Sequence, residues 1–365
     1  MGDYIRFAFM CRERGVGINA RVAIIGAGPA GLYAAGFLAC QGYEVDVYDK
    51  QPIPGGLMTL AIPSWRIPPQ RVLDGVKELE ERFNVKFVYK AKVYSDEPSH
   101  EEGDDLVEKR VNFADLLSNY DLVLIATGTW ASKLPKLPGI DAKGVTTALE
   151  YLYKWKVYEL RLAQISPPTA KRVVVIGGGY SAVDAAERAL KTGAESILVY
   201  RRTIKEAPAG VYEIERIKRA GVEFIELASP VEVIVENGVA RGVKFQKMTL
   251  GPPDETGRPK PVPIPGSEFV VEADLVIFAT GESPTPPISP KAAESLGLKL
   301  NKDGSIWVNQ IMQTSIPKVF AAGDVVQGPS RIGPAMRSGL KAARNMHNWF
   351  IAKTGKALPT VGVIA

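Results

Sequence analysis

The chain has 365 residues, more than one ordinary domain holds, and its 46% hydrophobic and 23% charged residues exclude global disorder. Its net charge of +5, from 45 basic and 40 acidic residues, is too slight for a nucleic-acid footprint. Two cysteines, Cys11 and Cys40, exclude an ordinary four-thiolate iron–sulfur cluster and a Cys-x-x-Cys relay, and two histidines, His100 and His347, make no metal cluster.

Both cysteines are expected as inert thiols in a reducing cytosol. Arg6 interrupts the apolar start, leaving it too short for a secretion signal. No apolar run approaches the roughly 18 residues of a spanning helix. A soluble, cytoplasmic protein with no membrane span and no metal is expected.

In chain order, the pattern strand, glycine turn, helix, strand occurs twice. Arg21-Val22-Ala23-Ile24-Ile25 reads as a buried parallel strand. Gly26-Ala27-Gly28-Pro29-Ala30-Gly31 follows, then a helix over about 32–40 and a second strand, Glu44-Val45-Asp46-Val47-Tyr48, closed by Asp49. The segment 95–110 holds seven acids between Asp96 and Glu108 and reads as a solvated hairpin tip. Leu122-Val123-Leu124-Ile125-Ala126-Thr127-Gly128 closes this unit.

The second copy starts at Arg172-Val173-Val174-Val175-Ile176, turns at Gly177-Gly178-Gly179-Tyr180-Ser181-Ala182, and continues as a helix to about Lys191. Its next strand, 196–200, ends in Arg201-Arg202. The Pro-rich stretch 251–267 reads as a long surface loop. Leu275-Val276-Ile277-Phe278-Ala279-Thr280-Gly281 closes the copy, and a last strand, Val319-Phe320-Ala321-Ala322, leads into Gly323-Asp324. This tail has no glycine turn of its own, so it returns to the first domain. The expected fold is α/β, two Rossmann-like domains, with residues 131–283 inserted between 1–130 and 284–365.

The first turn allows a tight bend, close backbone approach to a pyrophosphate, and helix packing on the strand; the diphosphate would rest on the helix N-terminus. Asp49 would accept hydrogen bonds from a plain adenosine ribose, as in FAD. In the second copy Arg201 and Arg202 would bind a 2′-phosphate, which an acid would repel, so NADPH is expected ahead of NADH. Flavin and nicotinamide chemistry needs no protein nucleophile, and none is expected: the flavin N5 performs the hydride transfer. The absent Cys-x-x-Cys argues against a thioredoxin reductase.

The chain resembles the two-dinucleotide-binding-domain flavoproteins, above all the glutamate synthase small (β) subunit group. The resemblance rests on Val22-Ala23-Ile24-Ile25-Gly26-Ala27-Gly28-Pro29-Ala30-Gly31-Leu32 and on Gly55-Gly56-Leu57 followed by Ile62-Pro63-Ser64-Trp65-Arg66-Ile67-Pro68. It rests further on Val199-Tyr200-Arg201-Arg202, on Pro253-Asp254-Glu255-Thr256-Gly257-Arg258-Pro259, and on Val319 to Asp324. It implies FAD contacts at Gly26, Gly28, Pro29, Ala30, Gly31, Asp49, Lys50, Gly56, Leu57, Arg66, Val93, Ala126, Thr127, Gly128, Gly323, Asp324, Gly333 and Ala335. It implies NADPH contacts at Gly177, Gly179, Tyr180, Ser181, Ala182, Arg201, Arg202, Thr280 and Gly281. Lys50 would lie beside the ribose, Leu57 and Arg66 on the flavin side, Val93 on the adenine side, and Asp324 on the ribitol. For Trp65 a core role and a flavin contact both stay open.

The group carries an N-terminal cysteine-rich iron–sulfur domain; with only about 20 residues and one cysteine ahead of the first strand, this domain is expected to be missing here. The implied role is an NADPH:acceptor oxidoreductase feeding an electron-accepting partner, an iron–sulfur or glutamate synthase large-subunit-like protein. A stand-alone reductase of ferredoxin, quinone or oxygen and a non-catalytic FAD-binding structural subunit are the alternatives.

Overall fold

The computed structural model describes residues 4–15, 17–96, 100–254 and 257–355. The chain divides into two compact units, one made of the residues up to Ala131 and those from Glu282 onward, the other Ser132–Gly281.

The first unit is built on a five-stranded sheet in the order Val319–Ala321, Leu122–Ile125, Arg21–Ile25, Glu44–Tyr48, Lys86–Val88, all parallel. Val22, Ala23 and Ile24 are fully buried, as a central strand covered on both faces requires. The helix Pro29–Cys40 is apolar nearly all round, with ten of its residues buried. Against it lies the long helix Ile332–Thr354, which comes so close that a Cβ on Gly339 would sit 2.1 Å from the Ala30 carbonyl oxygen.

The second unit repeats the arrangement: Glu223–Glu226, Glu195–Tyr200, Arg172–Ile176, Leu275–Phe278, Val145–Thr147, again all parallel. In both units the strand that feeds the glycine turn lies between the next strand and the closing strand. The chain reverses its direction of travel across the sheet there, and in such sheets that point opens a crevice at the carboxyl ends of the strands.

Three expectations need correction. Cys11 and Cys40 are not free thiols; they form a disulfide, with their Cα atoms 5.8 Å apart. The N-terminal segment is laid along the first helix: the Phe7 carbonyl passes over Gly36, where a Cβ would meet its oxygen at 2.3 Å, and Gly15 N–H donates to Ala39. That path brings Cys11 onto the end of the helix.

The 95–110 segment is not a solvated hairpin tip. Ala91–Tyr94 and Lys109–Asn112 pair parallel, and Glu101 and Asp104 fold back onto Lys50 and Lys92. Residues 97–99 of that segment lie outside the described ones.

The Pro-rich stretch is not a loop either. Val239–Pro253 and Pro259–Glu272 form a long antiparallel hairpin, the middle and one outer strand of a three-stranded sheet whose other outer strand is Ala228–Glu236. Prolines 259, 261, 263 and 265 all sit on its last strand. Residues 255–256, at the tip, lie outside the described ones. Among the described residues no helix is long and apolar enough to cross a membrane, and no group of acids, histidines and cysteines is placed to hold a metal.

Candidate nucleotide-binding sites

In the first glycine turn each glycine has its own reason. Gly26 (φ +108°) sits where a Cβ would lie 2.3 Å from the Ala126 carbonyl oxygen, so the closing strand crowds it. A Cβ on Gly31 would lie 1.9 Å from the Gly26 carbonyl oxygen. Gly28 differs: it begins the helix Pro29–Cys40, no side chain caps it, and nothing lies within 4 Å of where its Cβ would be. The first intrahelical bond runs from Leu32 N–H to the Gly28 carbonyl. The N–H groups of Ala30 and Gly31 precede it and face a helix start that the protein leaves open.

Asp49 is buried at the end of the second strand, with its carboxylate turned to this turn. Ala27 N–H donates to one oxygen at 2.5 Å and Gln51 N–H to the other at 2.8 Å. Burial pushes its pKa up, against the pull of those two bonds and of Lys50. The predicted ribose ligand is therefore also a structural tie between turn and strand.

Lys50, next to Asp49 in the chain, is held by acids of the 101–104 segment. Its Nζ contacts Glu101 Oε2 at 2.7 Å and Asp104 Oδ1 at 3.1 Å and lies 4.5 Å from the Trp130 ring centroid. Lys92 completes the cluster, 2.6 Å from Asp104 and 3.2 Å from Glu101. Burial raises the Asp104 pKa, but Lys50 and Lys92 outweigh it and leave the carboxyl below its ordinary range.

Gly56 packs on the turn, a Cβ there lying 3.0 Å from Gly28 Cα, and Leu57 opens the short helix Leu57–Leu60 beside it. Arg66 is half-buried on the following bend, and Trp65 is 38% exposed, which removes the core role. Val93 is buried in the core of the sheet. Thr127 Oγ1 donates to the Thr285 carbonyl and Thr285 N–H to the Gly128 carbonyl. The closing turn Ala126-Thr127-Gly128 is thus tied to a residue more than 150 positions away.

Gly323 N–H donates to Ser338 Oγ. Asp324 accepts from the N–H and hydroxyl of Ser330; burial raises its pKa against those bonds. Gly333 and Ala335 lie in the first turn of the long helix, which has no side-chain cap. Thr285, Ser330 and Ser338 carry no local signal in the sequence, because each acts on a partner that only the fold brings near.

The second turn follows the same plan. Gly177 is crowded by Ala279, Ala182 is fully buried, and Gly179 begins the helix Tyr180–Lys191 without a side-chain cap and with nothing within 4 Å of its Cβ position. The N–H groups of Ser181 and Ala182 precede the first intrahelical bond, from Val183 to Gly179. Tyr180 is 37% exposed. Thr280 Oγ1 donates to the Lys133 carbonyl, and the space beside Gly281 is open.

The two arginines that close the next strand part ways. Arg201 is exposed, whereas Arg202 is 2% exposed and turned inward, its Nε donating to the Pro259 carbonyl at 2.7 Å and its Nη2 to Asp254 Oδ2 at 2.6 Å. Neighbouring residues at a strand end point to opposite sides, so a pair that looks uniform in the sequence is split by the fold.

Two parallel sheets, each opening on a glycine turn with an uncapped helix start and one inserted in the other's chain, define a pyridine-nucleotide-dependent flavoprotein architecture. The model of the family described as pyridine nucleotide-disulphide oxidoreductase matches residues 20–339, and the chain belongs to that family.

The putative glutamate synthase [NADPH] small chain of Cereibacter sphaeroides is 36% identical, over 90% of this chain and 76% of that one. The NADP(+)-dependent formate dehydrogenase subunit beta of Moorella thermoacetica is 34% identical, over 93% of this chain and 45% of that one. The NADPH-Fe(3+) oxidoreductase subunit beta of Geobacter sulfurreducens is 34% identical, over 94% and 51%. The chain spans about half the length of the latter two relatives. The fold matches that of FprA, a Mycobacterium tuberculosis oxidoreductase, with a TM-score of 0.72 at 19% identity, over 92% of this chain and 86% of that one.

The family's name invites a redox role for Cys11–Cys40. The disulfide lies at the far end of the helix from Gly28, and a 12-residue helix is about 18 Å long. A flavin bound at Gly28 would meet the other end.

Proposed function

We propose that the chain is an FAD-dependent NADPH:acceptor oxidoreductase that passes electrons to a partner protein. The observation that carries this reading is the pair of open, uncapped helix starts at Gly28 and Gly179, whose neighbouring strands end in opposite charge, Asp49 in one and Arg201 in the other. Open backbone donors at a helix N-terminus suit a diphosphate; an acid suits a ribose diol and a guanidinium a 2′-phosphate.

FAD, when bound, supplies a ring that accepts hydride at N5 and releases electrons onward. The chain's part is placement. Ala30 and Gly31 N–H groups hold the diphosphate, Asp49 orients the ribose, and Asp324 the ribitol. Gly56, Leu57 and Arg66 border the ring, and Val93 serves the adenine side from within the core. The helix start at Gly333 and Ala335 stabilises negative charge on the reduced ring. Ser181 and Ala182 N–H groups hold the second diphosphate, with Thr280 and Gly281 at the neighbouring strand end.

The names of the relatives support NADPH as donor, and two of them are named as subunits, which supports a partner. An iron–sulfur protein or a glutamate synthase large-subunit-like protein is proposed as that partner, and the cytoplasm as the compartment.

The protein should purify yellow and release FAD, not FMN, and anaerobic NADPH should bleach it. Colourless protein that cannot be reconstituted sinks the reading. Flavin that NADPH leaves oxidised makes the chain a structural FAD-binding subunit. Co-purification from native cells, followed by absorption spectra, tests the partner; direct turnover with ferredoxin or quinone and nothing co-purifying makes it a stand-alone reductase.

A further inference from the structure

The hairpin tip and the end of the strand Glu195–Tyr200 are about 50 residues apart in the chain, yet one guanidinium joins them. Arg202 donates from Nε to the Pro259 carbonyl and from Nη2 to Asp254. Asp254 in turn organises the tip: Arg258 N–H donates to its Oδ1, Gly257 N–H to its carbonyl, and its own N–H to the Arg258 carbonyl. Below the clamp, Leu227 N–H donates to the Arg202 carbonyl and Met248 N–H to the Leu227 carbonyl, stitching strand end and hairpin together. Asp254 sets a carboxylate next to the strand end, and the Arg202 side chain, 3% exposed, offsets its charge. Arg201, one residue away, is exposed and enters no ion pair among the described residues.

We propose that Arg202 is a positioning residue that clamps the hairpin tip through Asp254 and Pro259, and that Arg201 alone of the pair binds the 2′-phosphate. This rests on the NADPH reading above. It assigns the hairpin, which the chemistry itself does not need, the role of outer wall to the nucleotide site, held in place by a part-buried ion pair.

The test uses two independent readouts on the full chain. The first is the ratio of KM for NADPH to KM for NADH with an artificial acceptor. The second, made without nucleotide, is the rate of cleavage after Glu255 in the tip by a glutamate-specific protease, since prolines follow Arg258 and Lys260 and block trypsin. Arg201→Ala should weaken NADPH by about 10- to 100-fold, leave NADH unchanged, and leave tip cleavage as in wild type. Arg202→Met should keep the ratio within about threefold of wild type and speed tip cleavage. Asp254→Asn, a smaller change that keeps the fold if Arg202→Met does not, should also speed it, and the two changes combined should be no worse than either alone.

A tenfold or greater change in the ratio for the Arg202 variant overturns the proposal, as does tip cleavage no faster than wild type in both clamp variants. Wild-type protein that does not prefer NADPH overturns the cofactor reading instead, and the cleavage rates still judge the clamp.

Discussion

The ring of Tyr200 occupies the place where Gly178 would carry a side chain: a Cβ there would meet the ring at 2.5 Å. The ring cannot easily yield, since Tyr200 is 6% exposed and its hydroxyl donates to the Glu206 carbonyl. The middle residue of the second turn is therefore dictated by the end of the neighbouring strand. Gly178→Ala should weaken NADPH and NADH by similar factors, because it displaces the turn and not the phosphate ligand, and Tyr200→Ala should restore part of the loss in the double variant. Isothermal titration with both nucleotides checks this; a loss confined to NADPH would refute it.

Gly28 and Gly31 should separate cofactor binding from folding. A side chain at Gly28 meets no protein atom within 4 Å, whereas one at Gly31 runs into the Gly26 carbonyl at 1.9 Å. Gly28→Val should leave the melting of the cofactor-free protein within about 1 kcal/mol of wild type while abolishing flavin retention. Gly31→Val should cost on the order of 3 kcal/mol through backbone collision. Thermal melts and flavin content of both variants decide the matter, and equal destabilisation would remove the case for a ligand at Gly28.

The Cys11–Cys40 disulfide closes a loop with a sequence separation of 29. In the chain-entropy account such a loop is worth about 3–4 kcal/mol. Cys11→Ser with Cys40→Ser should lower stability by that order without changing bound flavin or turnover, since the bond lies at the helix end remote from Gly28. Loss of turnover at full flavin content would instead make the bond part of the electron path.

Asp104 lies between Lys50 and Lys92, and Asp104→Asn leaves two largely buried ammonium groups under-compensated, a loss on the order of 3 kcal/mol. The pH dependence has a definite sign. The folded pKa is depressed, so the stabilisation is complete above the unfolded carboxylate pKa, near about 4, and disappears as pH falls through the lower folded value. Urea midpoints of wild type should therefore drop on acidification below about pH 4, and the difference from Asp104→Asn should shrink over the same range. A difference constant down to pH 2 would show that the carboxylate charge is not what matters.

The sheet strands were legible because buried parallel strands are written as continuous runs such as Val173 to Ile176, with glycine turns at their ends. What escaped were relationships between residues far apart. The acids at 101 and 104 look solvated until Lys50 and Lys92 arrive from other strands. Cys11 and Cys40 look like separate thiols until the N-terminal segment is laid along the helix. The repeated prolines of 251–267 read as a loop because proline is rare within sheets, yet an outermost strand tolerates them. Arg201 and Arg202 are identical letters, and only the alternation of side-chain direction, together with Asp254 some 50 residues on, tells them apart.

The outer hairpin strand carries a further consequence. It pairs Thr249 with Val262 and Leu250 with Pro261, and a proline has no N–H to donate, so the ladder there must run through Val262. Prolines 261 and 263, flanking it, then point their nitrogens away from the hairpin, where among the described residues no other strand pairs. A second molecule approaching that side would meet carbonyls with no matching donors. Exposed Val262, Ile264 and Val270 would otherwise make this stretch a template for intermolecular strand addition and aggregation. Substituting Pro261 and Pro263 by threonine would reopen it to self-association while leaving the nucleotide sites untouched.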